Sequence, residues 1–284
     1  MNPTSIPNSG NIADAPLGKI SANPQTYSPE ILFPIPRSAH RDLLIQAKTL
    51  PFMGVDIWNA YELSWLGPRG KPEVAIAQIE IPFDSPMIVE SKSLKLYLNS
   101  LNEATFPNPQ AVKERISQDL SASLKSNAVV TLFTSEAWST LKFDQPSGTS
   151  LDRLDIEINP QEPPNANWLT ADFQSAPIEQ TLYSNLLKSN CPVTGQPDWA
   201  SITITFTGPA IHQENLLRYI VSYRQHQEFH EHCVEKIFCD IKAMCKPTKL
   251  SVYARYTRRG GLDINPFRTD HNTAWPKNDR FARQ

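Results

Sequence analysis

The hydrophobic positions in the first half of the chain change their spacing once. Residues 52–66 and 73–83 are rich in aromatic and β-branched residues that partly alternate with polar ones, which predicts two strands joined by a turn at GPRGK. From residue 90 onward, apolar residues recur at intervals of three and four, which predicts a helix. A second predicted helix covers 107–124, with Pro109 in its first turn. Two further segments are predicted to be strands, AVVTLF at 128–133 and LDIEI at 154–158.

The second half of the chain repeats this order of elements. Segments 185–191 and 199–206 are predicted to be strands on either side of a CPVTGQPD loop. Two helices are predicted next, over 214–226 and 229–245, and Pro247 lies just beyond the second. A pair of glycines then separates the last two predicted strands, LSVYARYTRR at 250–259 and LDINPF at 262–267.

The two halves also align with each other in sequence. KLYLNSL at 95–101 aligns with LRYIVSY at 217–223, which sets Ser100 opposite Ser222 at an offset of 222 − 100 = 122. AVKERISQDL aligns with CVEKIFCDI at nearly the same offset. Because the alignment agrees with the order of strands and helices, we predict an internal duplication. The polar motifs of the halves differ, so each half is expected to contribute a different part of the function.

Composition excludes several classes of partner. The chain has 284 residues, with 27 basic and 29 acidic side chains and a formal net charge of −2, so it has no broad basic field for nucleic acid or an anionic membrane. It has no apolar run of about 18 residues and no signal-peptide pattern at its start. We therefore expect a cytoplasmic protein whose four cysteines are reduced thiols. Residues 1–45, rich in Pro, Ser and Asn, are predicted to be a loosely ordered extension.

Cys191 is the first candidate for chemistry. It lies in SNCPVTGQPDWA, and Asp198 follows seven residues later. The prolines and the glycine stiffen this loop, which can hold a thiol and a carboxylic acid on either side of a small electrophile. Taken alone, a single loop cysteine is more often an ordinary thiol. The other cysteines are spaced by six residues, about 240° around a helix, and are predicted to be core residues: Cys233, Cys239 and Cys245.

A histidine cluster precedes the last predicted helix. His226 and His230 have the i, i+4 spacing of a zinc-ligand pair, but Phe229 predicts a break in the helix between them. No HExxH or CxxC motif occurs, so no metal site is predicted. His230 and Glu231 at a helix start can present a proton carrier and a carboxylate to a ligand. The alternative is a solvated helix start.

Two basic clusters are candidates for binding an anionic cofactor. Lys92 and Lys95 lie on the polar face of the first predicted helix, where amides near Ser91 can also bind a phosphate. Arg259 precedes the pair Gly260–Gly261 at the end of a predicted strand. The alternative is a solvated basic face. No GxGxxG follows a strand and no P-loop motif occurs, so neither a Rossmann nor a P-loop site is predicted.

Together these segments resemble the motif set of the QueF family, which reduces 7-cyano-7-deazaguanine to 7-aminomethyl-7-deazaguanine on the pathway to the tRNA base queuosine. The matching segments extend over residues 52–268 without departing from the motifs. Their order resembles the two-module branch of the family, with ESKSLK in the first module and the cysteine in the second. The segments are ESKSLKLYLNS, SNCPVTGQPDWASI, SYRQHQEFHEHCVEKIFCD and SVYARYTRRGGLDINP.

The resemblance implies an α+β fold of two tandem tunnelling-fold (T-fold) modules. Each module would be an antiparallel four-stranded sheet with two helices on one face. The modules are expected over residues 46–160 and 161–284. The resemblance also implies a homodimer that acts on a small 7-deazapurine and has no direct nucleic-acid or membrane partner.

The resemblance also assigns roles to individual residues. Cys191 matches the nucleophile that adds to the nitrile to form a thioimide, and Asp198 matches the general acid that protonates its nitrogen. His230 is a candidate proton carrier for the later steps, and two NADPH supply the electrons. The substrate-binding positions are Val89, Glu90, Ser91, His230 and Glu231. The NADPH contacts are Ser91, Lys92, Arg259 and Gly260.

Two other functions stay open from the sequence. One is a zinc-dependent T-fold enzyme, similar to a cyclohydrolase, that acts on a purine or pterin with Cys and His ligands. The other is a purine-binding module without catalysis. Cys191 and Asp198 argue against the second, and a metal assay separates the first from a metal-free reductase.

Overall fold

The computed structural model describes residue 16 and residues 23–45, 49–159 and 161–284, and it has the predicted mixed α+β fold. None of the helices in these ranges is long and apolar enough to cross a membrane. In chain order, the α-helices are α1 (Ser38–Leu44), α2 (Ser91–Asn99), α3 (Pro109–Leu124), α4 (Gln213–Val221) and α5 (His230–Cys245). The strands are β1 (Pro34–Pro36), β2 (Met53–Leu66), β3 (Pro72–Pro82), β4 (Met87–Val89), β5 (Val129–Thr134), β6 (Phe143–Asp144), β7 (Thr149–Ser150), β8 (Ala171–Asp172), β9 (Ile178–Asn190), β10 (Pro197–Gly208), β11 (Ala210–Ile211), β12 (Lys249–Tyr256), β13 (Leu262–Thr269) and β14 (Arg280–Phe281).

The described residues form two compact units, and each unit draws on several stretches of the chain. Unit 1 contains the described residues of Met1–Arg41, Ile57–Leu141 and Arg258–Asp263. Unit 2 contains the described residues of Asp42–Asp56, Lys142–Thr257 and Ile264–Gln284. The modules expected at 46–160 and 161–284 stay a prediction.

Unit 1 combines the sheet strands β5, β3 and β2, in that order, with helices α2 and α3. Strands β3 and β5 are antiparallel, and alternate residues of β3 are buried, so one face of the sheet carries the core. Helix α3 begins as its sequence predicts. The side chain of Asn108 caps it by accepting the N–H of Ala111 at 2.9 Å, and Pro109 occupies the first turn.

In unit 2 the sheet strands lie in the order β13, β12, β10, β9 and β7. Neighbouring strands are antiparallel except β7, which runs parallel to β9. In β12, Leu250, Val252, Ala254 and Tyr256 alternate along the strand and are buried, and α5 contacts this strand. The helix side of the sheet therefore carries the core of unit 2, and it is the side on which α5 begins.

The two units contain matching helix pairs. Helices α2 and α4 each have nine residues and start 213 − 91 = 122 residues apart, and α3 and α5 each have 16 and start 230 − 109 = 121 apart. In unit 1 the hydroxyl of Tyr97 donates to Asp119 at 2.7 Å. In unit 2 the hydroxyl of Tyr219 donates to Asp240 at 2.6 Å. The offset predicted from the sequence alignment is confirmed, and it extends to the hydrogen bond that joins each helix pair.

The ends of the helices repeat as well. Ser100 follows α2 and Ser222 follows α4, and each hydroxyl donates to the carbonyl three residues earlier at 2.6 Å. Lys125 and Lys246 end α3 and α5 with φ of 53° and 50°, in the left-handed conformation that often terminates a helix.

The prediction of a strand at LDIEI, residues 154–158, is wrong. The segment is irregular, and its side chains alternate between half-buried and exposed, with none buried. An alternating pattern forms a strand only where one face is buried against a core. The segment lacks that face, and the short strands of this region are β6 and β7 instead.

The prediction of a loosely ordered extension over residues 1–45 is also wrong in part. Residues 1–15 and 17–22 lie outside the described residues. Beyond them, β1 pairs with β4 from Pro34↔Val89 to Pro36↔Met87, and the N–H of Phe33 donates to the hydroxyl of Ser93 at 3.0 Å. Proline favours extended backbone and is tolerated in a short edge strand, which explains why a Pro-rich segment is ordered here.

Candidate active site

Cys191 lies at the start of the tight turn that joins β9 to β10. Its N–H donates to the carbonyl of Gln196 at 2.9 Å, and its carbonyl accepts the N–H of Gly195 at 3.0 Å. The N–H of Thr194 points at the sulfur, 3.5 Å away. Gly195 has a φ of 66°, a conformation that a side chain would strain. The turn thus fixes both the backbone and the thiol of Cys191, which is 3% exposed.

Asp198 lies on the other arm of the same hairpin. It pairs with Ser189, and the side chains of paired residues lie on one face. Strand β9 ends at Asn190, one residue before Cys191, so Cys191 and Asp198 lie at the same end of the hairpin. Asp198 is 4% exposed. A thiol and a carboxyl group, both nearly buried, therefore lie at one end of the β9–β10 hairpin.

His230 brings a third group to this surface from α5. Its Nε2 lies 3.4 Å from Oδ2 of Asp198. Its ring lies parallel to that of Tyr256, with the centroids 3.7 Å apart and the planes inclined by 1°. Among the described residues, the buried Nδ1 atom of His230 has no hydrogen-bond partner. A carboxyl group and an imidazole in this arrangement can pass a proton to a bound molecule.

The break predicted between His226 and His230 is confirmed. A 3-10 helix ends at Gln225, His226 is extended, and α5 begins at His230. The two histidines therefore do not lie on one helix with the i, i+4 spacing of a zinc pair. Glu231 follows in the first turn of α5 and is buried, at a helix end that favours negative charge.

The three cysteines of α5 are in a different environment from the hairpin. Burial raises the pKa of Cys239 to about 12 and that of Cys245 to about 11, and it raises the pKa of Cys233 as well. Cys233 and Cys245 are fully buried. Because the thiolate is the nucleophile, thiols held protonated are poor ones. Their prediction as core residues is confirmed for these two, and Cys239 is half-buried.

In unit 1, Glu90 caps helix α2. Its carboxylate accepts the N–H of Lys92 at 2.6 Å and that of Ser93 at 2.8 Å. Glu90 is fully buried, and burial raises its pKa above the ordinary value, an effect that these two N–H groups oppose. The cap corrects one expectation, since the helix amides near Ser91 that we expected to bind a phosphate are largely occupied by Glu90. Val89 precedes the cap as the last residue of β4.

The basic residues of unit 1 lie around a tight turn. Arg259 and Leu262 exchange backbone hydrogen bonds at 2.8 and 3.1 Å, and Gly260 and Gly261 between them have φ of 57° and 78°. Two central residues with positive φ define a turn that glycine favours. The ammonium group of Lys95 contacts the carbonyl of Gly260 and the carboxylate of Glu62.

This turn and α2 fit an anionic cofactor by residue type. Lys92 and Arg259 are cationic side chains that can pair with a phosphate. A side chain at Gly260 would meet Lys95 and one at Gly261 would meet Glu62, so both positions need glycine for close packing. The structure holds Gly260 in place through Lys95. Ser91 is the first residue of α2. These residues are the candidates for holding the nicotinamide cofactor.

Two family models match the chain. The model described as the N-terminal part of the nitrile reductase 7-cyano-7-deazaguanine reductase matches residues 23–132, and that of the QueF-like proteins matches residues 197–275. The NADPH-dependent 7-cyano-7-deazaguanine reductase of Cupriavidus necator is 55% identical over 272 residues, 95% of this chain and 98% of the relative. The chain belongs to the 7-cyano-7-deazaguanine reductase family.

Other members of the reductase family are similar to the same degree. The enzyme of the same name from Paraburkholderia phymatum is 54% identical over 270 residues, and that from Ralstonia nicotianae is 53% identical over 272. Each alignment covers 95% of this chain and 98% of the relative. A solved structure, the archaeosine synthase QueF-Like in the apo form, overlaps 36% of the chain and 99% of its own, with 16% identity and a TM-score of 0.31.

Two features of the site were not predicted from the sequence. Tyr256 was placed on a strand, but its stacking against His230 joins a strand to a helix and has no local signal. The cap formed by Glu90 had a local signal, because a polar residue directly before a helical apolar pattern is the usual position of an N-cap. Glutamate is an uncommon cap, and we considered Glu90 only as a ligand for substrate.

Proposed function

We propose that this chain reduces 7-cyano-7-deazaguanine to 7-aminomethyl-7-deazaguanine with two NADPH, in the biosynthesis of queuosine. The family membership supports the reaction, since the relatives of this chain carry the name of that reductase. The observation that carries the chemistry is the contact of His230 with Asp198 at the end of the hairpin whose turn holds Cys191.

The first step is addition of the Cys191 thiol across the nitrile. The sulfur forms a bond to the nitrile carbon, one bond of the C≡N group breaks, and the nitrogen takes up a proton from Asp198. The thiol proton replaces the one that Asp198 has given up, so the step gains and loses no atoms. The product is a thioimide, and no group leaves. Burial of both side chains keeps water from competing for the carbon.

When bound, NADPH supplies the hydride for each of the two reduction steps. Ser91, Lys92, Arg259 and Gly260 would hold it, with the two cations matched to its phosphates. The protons and the leaving thiol are handled by this chain's own residues. His230, whose Nε2 lies 3.4 Å from Asp198, gives protons to the nitrogen in the later steps and takes up replacements from solvent. The product of the first reduction collapses to an imine with cleavage of the carbon–sulfur bond, which restores the thiol of Cys191 before the second reduction gives the amine.

Recognition of the purine is assigned to carboxylates and to the backbone near them. Glu90 and Glu231 are both buried, and a buried carboxylate can accept hydrogen bonds from the ring N–H and amino groups of a guanine-like base. Val89, Ser91 and His230 complete the proposed set. Glu90 already accepts two amide N–H groups, and a carboxylate has acceptor sites for more.

We also propose that the two units are tandem T-fold modules and that the protein is a homodimer. The repeated helix pairs at offsets of 122 and 121 support the first statement. Strand β5 ends the sheet order on one side, and such an edge can pair with a second copy. Light scattering coupled to gel filtration measures whether the protein is a homodimer.

We further propose a cytoplasmic location, which is supported by the four cysteines, all of which are free thiols.

The test is to mix the enzyme, 7-cyano-7-deazaguanine and NADPH and to follow loss of absorbance by the reduced cofactor. Two NADPH should be consumed per substrate, because a nitrile becomes an amine by a four-electron reduction. A parallel sample is treated with a chelator and should keep its activity. Activity that is lost on chelation and restored by zinc would favour the cyclohydrolase-like alternative, and consumption of one NADPH would contradict the reaction.

A further inference from the structure

The ring that stacks on His230 offers no proton. Tyr256 is fully buried, and burial, with Cys233 and Asp198 nearby, raises the pKa of its phenol well above the ordinary value. The phenol is therefore neutral and protonated at neutral pH. What Tyr256 offers to His230 is the flat face of its ring, 3.7 Å away and parallel to within 1°.

The backbone of Tyr256 points away from β10. The N–H of Thr257 donates to the carbonyl of Trp199 at 2.8 Å, and Tyr256 itself pairs with Ala200. In an antiparallel ladder, alternate residues bond to opposite neighbours, so the N–H and carbonyl of Tyr256 face the other side of β12. On that side β12 pairs with β13 from Ser251↔Thr269 to Tyr253↔Phe267.

Side chains complete the hydrogen bonds of Tyr256 on this side. The side-chain oxygen of Asn265 accepts the N–H of Tyr256 at 3.2 Å. The amide nitrogen of Gln284 donates to the carbonyl of Tyr256 at 3.0 Å and to the same oxygen of Asn265 at 2.8 Å. Asn265 is fully buried and Gln284 is 4% exposed. Two buried amide side chains, one of them from β13 itself, thus take the place of backbone partners at Tyr256.

The side-chain oxygen of Gln284 also accepts hydrogen bonds from two further residues. Its oxygen accepts the Nε–H of Arg255 at 2.5 Å and the N–H of Phe281 at 2.9 Å. Its amide oxygen and nitrogen together make four hydrogen bonds, and removing one partner of a buried polar group leaves the other unsatisfied. A connected path therefore runs from Gln284 through the backbone of Tyr256 to the ring that contacts His230.

We propose that Tyr256 and Gln284 are positioning residues for His230. Gln284 fixes the backbone of Tyr256, and the ring of Tyr256 fixes the plane of the imidazole so that Nε2 faces Asp198. The proposal rests on the proposed function, in which His230 carries protons. Catalytic groups need placement to a fraction of an ångström, and a displacement of about 1 Å can cost on the order of 10²-fold in rate.

Two substitutions at Tyr256 separate its ring from its hydroxyl. Tyr256→Phe keeps the face that stacks on His230, and its kcat should stay within about threefold of the wild type because exact side-chain shape is retained. Tyr256→Leu removes the face, and its kcat should fall by about tenfold or more. The KM for NADPH should change in neither, since the proposed cofactor residues lie in unit 1. A loss of kcat that is equal in Phe and Leu would overturn the role of the ring.

A second pair of substitutions tests Gln284, whose buried side chain does not contact His230 directly. Gln284→Glu keeps the acceptors for Arg255 and Phe281 but loses both donated bonds, and Gln284→Ala loses all four. Both should lower kcat by about fivefold or more, by misplacing the ring. Gln161→Ala, at an exposed position, is the matched control and should not change it. The Glu variant keeps the anchor to Arg255, so it is expected to fold even if Tyr256→Leu does not.

The readout specific to positioning is NMR of the histidine rings in ¹⁵N-labelled enzyme. The chain has six histidines, so the other five serve as internal references. Both Gln284 variants should move the ring signals of His230 and leave most of the others in place. The proposal is contradicted if the ring signals of His230 do not move in either Gln284 variant and both variants keep the wild-type kcat. Failure of the wild type itself to oxidise NADPH would instead reject the proposed function.

Discussion

The carboxylate of Asp198 lies 3.4 Å from the imidazole of His230, although one residue is the second of a strand and the other is the first of a helix. Asp198 lies at the same end of the hairpin as Cys191, so this contact brings the predicted proton carrier to the hairpin that holds the predicted nucleophile. Neither group can be replaced without altering the surroundings of the other. Experiments on the site therefore need readouts that separate addition to the nitrile from the later reduction.

Formation of the adduct should depend on Cys191 alone among the cysteines. Without NADPH the reaction should stop at the thioimide, and intact-protein mass spectrometry should show an added mass of one whole substrate, because addition expels nothing. Cys191→Ala should abolish both the adduct and the reduction. Cys245→Ala is the matched control, since burial holds that thiol protonated, and it should keep the adduct. An adduct that persists in Cys191→Ala would show that the nucleophile is misidentified.

Asp198→Asn should slow formation of the adduct. The amide cannot supply the proton that the nitrile nitrogen needs, and general-acid catalysis is typically worth ~10²–10⁴-fold. Single-turnover mass spectrometry without NADPH measures this step directly. Asp155→Asn, an exposed aspartate of the same unit, should leave the rate unchanged. Equal rates in Asp198→Asn and the wild type would remove Asp198 from the step.

Affinity for the substrate should depend on pH through Glu90. Burial raises its pKa, so as pH falls Glu90 takes up a proton at a higher pH than an ordinary glutamate does. The protonated acid accepts fewer hydrogen bonds, so binding should weaken as pH falls through that pKa. Glu90→Gln should bind about tenfold more weakly at neutral pH, from the loss of a charged contact worth ~1.5–3 kcal/mol.

Calorimetric titration at several pH values checks this prediction. The difference in affinity between the wild type and Glu90→Gln should shrink as pH falls, because the wild-type group also becomes neutral. Glu90→Ala is a poorer probe, since it also removes the cap of α2, which typically costs ~1 kcal/mol of stability. Glu103→Gln, at an exposed position, serves as the control. A difference that stays constant with pH would remove Glu90 from the binding site.

Preference for NADPH over NADH should reside in Lys92 and Arg259. Lys92→Met and Arg259→Met should each raise the KM for NADPH by about tenfold, from the loss of a charged hydrogen bond to the 2′-phosphate. The KM for NADH, which lacks that phosphate, should change little. Arg258→Met is the neighbouring control, because Arg258 stacks over the ring of Tyr61. Equal effects on both cofactors would argue against contact with the 2′-phosphate.

The tyrosine–aspartate bond should stabilise both helix pairs. Tyr97→Phe and Tyr219→Phe each remove a hydrogen bond to a carboxylate, and each should lower the free energy of unfolding by ~1.5–3 kcal/mol. Urea unfolding followed by circular dichroism gives the values. Tyr183→Phe, on a half-buried strand position, is the control. A change below that of the control in both variants would show that the repeated bond is not stabilising.

Much of the fold follows from local patterns in the sequence. Apolar residues at intervals of three and four predict helix α2, because an amphipathic helix carries its burial pattern in its own sequence, and Pro109 marks the first turn of α3. The segment 154–158 alternates as a strand does, yet whether alternation makes a strand depends on a partner and a core that lie elsewhere in the chain.

The sequence predicts those parts of the candidate site that lie in one local segment, and not the contacts between segments. Cys191 and Asp198 share one short loop, so the sequence predicts their proximity. The contact of His230 with Asp198, and the stacking of Tyr256, depend on how α5 meets the sheet, and no sequence spacing reports that. Gln284 was not a candidate at all, because its role depends on tertiary hydrogen bonds to Tyr256 and Asn265.

The repeated tyrosine–aspartate bond bears on how this chain could have acquired its activity. Tyr97 and Tyr219 are each the seventh residue of their helix, and Asp119 and Asp240 are each the eleventh, so both bonds lie beyond the first helical turns. Substitutions at Glu90 or at His230, where a helix starts, therefore leave these bonds in place. If a duplication produced the two helix pairs, each copy would have kept its own bond, and the residues at the helix starts of one copy could change without loss of the fold.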